Sequence, residues 1–110
     1  MAYDEQLADR IRACLDGESG VTEKRMFGGL AFLVDGSMSV AASGEGGLLL
    51  RVDPAETEAL TSQPTVTRAV MRGRAMNGWL RVTAAAVAGD DDLERWVRRS
   101  VGYARSLPPK

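Results

Sequence analysis

Residues 23–56, EKRMFGGLAFLVDGSMSVAASGEGGLLLRVDPAE, decide the fold of this chain. Leu30, Phe32 and Val34 alternate with Ala31 and Leu33, the period of a strand with one face turned to a core. Asp35-Gly36 comes next, a pair suited to the positive φ angles of a two-residue hairpin. Met38, Val40 and Ala42 then alternate with Ser39 and Ala41, and the Gly-rich Ser43–Gly47 turns the chain again. Leu48, Leu50 and Val52 alternate with Leu49 and Arg51. Asp53-Pro54-Ala55-Glu56 has the form of a capping box with Pro at the first helical position, so a helix starts there. The middle of the chain is thus three antiparallel strands running into a capped helix.

Outward from this block, the spacing of Tyr3, Leu7, Ile11, Cys14 and Leu15 predicts an amphipathic helix over 4–15, stopped by Gly17. The first strand begins near Thr22 and continues through Gly28-Gly29, where paired glycines suggest a bulge or a close backbone approach. The second helix is expected from Pro54 to Ser62, ending before Pro64. Thr65–Arg72 and Asn77–Thr83 read as two further strands joined by a turn near Gly73. Asp90, Asp91 and Asp92 precede a last helix, Leu93–Ser106, with its apolar stripe at Leu93, Trp96, Val97, Val101 and Ala104. The order α-β-β-β-α-β-β-α predicts an α+β two-layer sandwich, a mostly antiparallel five-stranded sheet with helices on one face. Residues 1–110 form a single domain in this reading.

Composition narrows the function. The chain has 110 residues, 45% hydrophobic and 26% charged, with a formal net charge of −1. Such a balance exerts no overall pull toward nucleic acid or an anionic membrane. No apolar run approaches a membrane span, and the start MAYDEQLADR lacks signal-peptide character. One cysteine cannot form an internal disulfide, so a cytoplasmic protein is expected. Arginine outnumbers lysine 12 to 2, a bias that fits either anion recognition or GC-rich codon usage.

Histidine is absent, which removes the usual general base near neutral pH and every Ser-His or Cys-His pair. Cys14 falls on the buried stripe of the first helix and reads as a packing residue. The Asp90–Asp92 run belongs at a helix N-terminus rather than around a cation. Gly28-Gly29 and Gly44–Gly47 lack the Lys-Ser/Thr pair of a phosphate loop. No catalytic residue, cofactor or metal ligand is therefore expected. Arg68, Arg72 and Arg74, with Arg81, form a possible anion-binding cluster in the final hairpin, against the alternative of a solvated surface. The outer sheet face is the other candidate. If Leu30, Phe32, Met38, Val40, Leu48, Leu50, Leu80 and Val82 face the helices, then Leu33, Leu49, Arg51, Trp79 and Arg81 face the opposite way. Trp and Leu flanked by Arg is the composition of a protein interface. On this reading Trp79→Ala with Leu49→Ser leaves the monomer folded, since neither residue belongs to the expected core.

The strings KRMFGGLAFLVDG, GLLLRVDP, GWLRV and YARSLP together resemble the N-terminal domain of the TfoX/Sxy competence regulators, over nearly the whole chain. The resemblance implies an α+β sandwich and a regulatory role. Full-length members act as co-activators of competence genes alongside a cyclic-AMP receptor-type transcription factor, and they carry a second, helical C-terminal domain. This chain would be a stand-alone version, ending at YARSLPPK. The expected function is a non-enzymatic regulatory or protein-interaction domain, its partner a protein or a second copy at the outer sheet face, with no membrane. The alternative is a nucleic-acid-binding module built on Arg68, Arg72, Arg74 and Arg81. A third reading, a small-ligand enzyme, has no constellation of groups behind it.

Overall fold

The computed structural model describes residues 3–26, 28–71 and 73–108. Its elements are α1 (Glu5–Leu15), β1 (Val21–Met26), β2 (Gly29–Val34), β3 (Ser37–Ala42) and β4 (Leu48–Arg51), followed by a 3-10 turn (Pro54–Glu56) that leads into α2 (Thr57–Leu60). Then come β5 (Val66–Met71), β6 (Arg74–Val82), a second 3-10 turn (Ala85–Val87) and α3 (Asp90–Ser106). The strands form one antiparallel sheet of six, in the order β1-β2-β3-β4-β6-β5. This is the expected α+β sandwich with one strand more than the five predicted.

The extra strand comes from residues 22–34, which are two strands rather than one. Met26 pairs with Gly29 across a tight hairpin. Gly28 supplies the turn with φ +73, and Gly29 lies so close to the Ala42 carbonyl that a side chain would collide with it. The close backbone approach expected of the paired glycines is present at Gly29, but in place of a bulge they form a hairpin turn that ends one strand and starts the next. β1 itself carries Thr22, Glu23, Lys24 and Arg25, all exposed, so no apolar alternation announced it. As an edge strand it needs none, and its charges discourage pairing with other chains. The Asp35-Gly36 hairpin is present, with φ of 50 and 85.

The helices pack on one face. Leu7, Ile11 and Leu15 of α1 and Leu93, Val97 and Val101 of α3 join Leu30, Phe32, Val34, Val40, Leu48, Leu50, Leu80 and Val82 in the main core. Arginines fasten this layer at its edges. Arg10 donates to the Val87 and Ala88 carbonyls at 2.9 and 3.1 Å and pairs with Asp90. Arg105 bridges Glu18 and Asp35 while also donating to the Ser19 carbonyl. Arg12 forks onto both Glu23 oxygens. That pairing holds the Glu23 carboxyl below its usual range.

Asp53 accepts from the Ala55 amide at 2.9 Å, the cap expected of it. Asp53→Ala should therefore cost about 0.5–2 kcal/mol in a denaturant titration, and a cost near zero would show the cap to be idle. The helix behind this cap is shorter than the predicted 54–62, because the first turn is wound as 3-10 and only Thr57–Leu60 is α-helical. α3 in turn begins earlier than expected, at Asp90, with Gly89 at the N-cap and no side-chain cap bond. The three aspartates occupy its first turn. They favour the positive end of the helix dipole without accepting a capping hydrogen bond from the amides there, so half of their predicted role holds.

Candidate interaction face

Strand register sorts the side chains into two sets, and a bulge alters one of them. The β2–β3 pairing slips between Phe32 and Leu33: Phe32 sits opposite Val40, but Leu33 sits opposite Met38. Ser39 is the extra residue. It turns to the helix side and shares a hydrogen bond of 2.9 Å with Ser100 of α3, both fully buried. Beyond the bulge the alternation is reversed. Met38, expected to face the helices, joins the opposite face instead.

That face is not the open surface the sequence suggested. Ala31, Met38, Ala41, Leu49 and Ala69 form a second cluster, none more than 6% exposed, with Met26, Leu33 and Trp79 packed half-buried against it. Its members come from strands alone. The sheet shields this patch with its own side chains, and Leu49, read as a surface contact, is a small-core residue at 5% exposure.

All five residues expected on the face do lie there. Leu49 pairs with Arg81 and Arg51 with Trp79 across β4 and β6. Leu33, Arg51, Trp79 and Arg81 remain partly accessible. The β3–β4 pairing stops at Val40–Leu50, and at that divergence α3 brings in Tyr103. The Arg51 guanidinium lies 5.3 Å from the Trp79 ring centre and 5.6 Å from that of Tyr103. Both separations are within cation–π range, so one guanidinium makes two such contacts. Tyr103 stands seven residues after Trp96 and so continues one edge of the α3 stripe, although the stripe expected from the sequence did not include it. It also lies in the string YARSLP.

Gly78 builds the stack from below. It has φ +84, and a Cβ there would meet the Pro54 ring and the Val52 carbonyl, each at 3.1 Å. Its amide donates to Thr57 Oγ1 at 2.7 Å, and its carbonyl accepts from the Val52 amide at 2.8 Å. This knot interrupts the β5–β6 ladder, which jumps from Arg68–Leu80 to Ala69–Met76. On the other side of Trp79, Arg81 reaches Ser43 Oγ and pairs with Glu45.

The predicted anion cluster does not converge. Arg68 pairs in register with the core residue Leu80 and donates to the Asn77 side chain at 3.0 Å. Arg74 is exposed on the outer face, and Arg72 lies outside the described residues. Elsewhere Arg95, Arg98 and Arg99 pair with Asp92, Glu94 and Glu56. Much of the arginine excess is thus taken up by ties within the domain. One concavity, about 400 Å³, lies beside α3 with Leu60, Ala86 and Trp96 at its floor and Arg95 and Arg99 on its rim. Both of those guanidiniums already have carboxylate partners.

Cys14 is half-buried at the margin of the main core rather than inside it. Burial pushes its thiol pKa up, so less thiolate is present near neutral pH. Alkylation by iodoacetamide at neutral pH should run roughly several-fold slower than that of a free cysteine. A faster rate would contradict the structural role. Among the described residues no group of three or more metal-ligating side chains comes together, and no helix is long and apolar enough to cross a membrane.

A six-stranded antiparallel sheet, helices on one face and a second apolar cluster on the other define an α+β domain with an aromatic–arginine stack at its rim. The chain belongs to the TfoX N-terminal domain family, whose model matches residues 13–104. At the level of the family this is a regulatory rather than a catalytic domain, connected with competence. No curated protein matches the chain.

Proposed function

We propose that this protein is a cytoplasmic, non-enzymatic regulatory domain that works by binding another protein through its outer sheet face. The observation that carries this reading is the Trp79–Arg51–Tyr103 stack. Trp, Tyr and Arg are the residues most enriched at binding hot spots, and side chains already fixed in the free protein lose less entropy on docking. Three of the strings that carry the family resemblance, RVDP, GWLRV and YARSLP, contribute one member each. Leu33 and Met26 are further partly accessible apolar side chains packed against the same outer cluster as Trp79. The role in competence rests on the family alone.

Trp79→Ala combined with Leu33→Ser tests the proposal, since both side chains are only half-buried. The partner captured from the native host by the wild-type domain should bind at least about tenfold more weakly to the folded double variant. Equal binding would overturn the assignment of the face. The nucleic-acid reading has less support, because the arginines meant to carry it are divided between faces or paired with carboxylates.

A further inference from the structure

The strand register gives the outer face a charge of its own. Lys24 lies opposite Ala31, Arg51 opposite Trp79 and Arg81 opposite Leu49, all outward. Arg74 shares that side, two residues from Met76, which pairs with the outer-cluster residue Ala69. The single carboxylate in a described strand, Glu23, sits opposite Phe32 on the helix side. Glu45, from the β3–β4 turn, is the acidic group seen to reach the outer face, where it pairs with Arg81. A chain of formal net charge −1 therefore presents one face whose strands carry cations around an apolar centre.

We propose that this face takes an acidic protein segment carrying apolar anchors, seated along the row from Met26 through Leu33 to Trp79, with its carboxylates meeting Lys24, Arg51 and Arg74. The inference rests on the outer face being the docking surface and adds the chemistry of what docks. Cations ringing an apolar centre match a segment with the opposite pattern, and such complementarity sets specificity and association rate. A nucleic acid fits less well. The middle of the face is Ala31, Ala41, Met38 and Leu49, which neither pair with phosphates nor stack on bases, and Trp79 is already stacked by Arg51.

Three synthetic peptides of about fifteen residues test this, sharing the same Leu and Phe positions but with Glu, Gln or Lys between them. A single-stranded oligonucleotide of similar charge serves as a fourth probe. Binding is followed by amide chemical-shift mapping on the full chain. The Glu peptide should shift amides of β2, β4 and β6 and bind about tenfold more tightly than the Gln peptide, with the gap closing as salt rises from about 50 to about 300 mM. Lys24→Glu with Arg74→Glu, both at exposed positions, should remove that preference. If the Gln or Lys peptide binds the same face as well as the Glu peptide, or the oligonucleotide binds it more tightly, the acidic-partner assignment is wrong while the docking face stands. If the peptides shift amides only elsewhere, or none of the probes binds, the docking face itself falls, and this assignment with it.

Discussion

Leu49→Ala should destabilise the domain by about 2–5 kcal/mol, the cost of a truncated core leucine, although no helix covers it. Its side chain is 5% exposed, packed among Ala31, Met38, Ala41 and Ala69. These neighbours lie on paired strands whose backbone hydrogen bonds resist collapse into the space left behind. Equilibrium unfolding in guanidinium, compared with wild type at unchanged m-value, measures the loss. A cost below about 1 kcal/mol would show the outer cluster to be surface rather than core. The same burial changes how the face must be probed. Leu49→Ser, which alternation alone would choose as an interface substitution, would destabilise the fold along with the face, so lost binding would not locate a contact, whereas Leu33 and Trp79 are accessible enough to be altered in a folded domain.

Gly78→Ala should be comparably severe, about 2–5 kcal/mol, for two reasons that add. A side chain at φ +84 costs about 1–2 kcal/mol in backbone conformation, and overpacking costs about 1–3 kcal/mol more. The new methyl would press on the Val52 carbonyl and the Pro54 ring, each at 3.1 Å. Either the chain shifts away or the hydrogen bonds to Thr57 Oγ1 and the Val52 amide lengthen. Trp79 is the next residue, so partner binding should weaken together with the melting temperature. A thermal midpoint within about 2 °C of wild type would show that the knot at Gly78 tolerates a side chain.

Much of the architecture could be read from residues alone, where local chemistry and packing agree. Alternation in β2, β3 and β4 named most of the sheet's core side chains, Asp35-Gly36 took the hairpin conformation its φ angles require, and Asp53 capped the turn beyond it. What escaped reading was set by tertiary context. β1 has charged, exposed residues because nothing packs on its edge, so a strand there left no hydrophobic trace. Ser39 could occupy either face by polarity. Only its bond to Ser100, 61 residues away in sequence, fixes the bulge that sends Met38 outward. The five residues of the candidate face were placed together correctly, but their accessibility depends on how strands shield one another. Alternation says which way Leu49 points, not how much water reaches it. Tyr103 could be placed on the Trp96 edge of α3 by spacing, but its meeting with Arg51 of β4 is a relation between elements that no local pattern encodes.

The strand order β1-β2-β3-β4-β6-β5 also bears on how the chain finds its structure. Every pairing but one joins strands consecutive in sequence, so those ladders close over short loops at small entropic cost. They divide into two meanders, one of four strands and one of two, each able to form early. The exception is the β4–β6 seam, which requires the β5 segment to be bypassed first, and Gly47 and Gly78 both lie against it, Gly47 at the Val82 carbonyl and Gly78 at the Val52 carbonyl. Both the Arg51–Trp79 pair and the Leu49–Arg81 pair span that seam. The proposed binding face therefore exists only after the two meanders have docked, and a chain stalled before that step would hold most of its strand pairings while lacking that face.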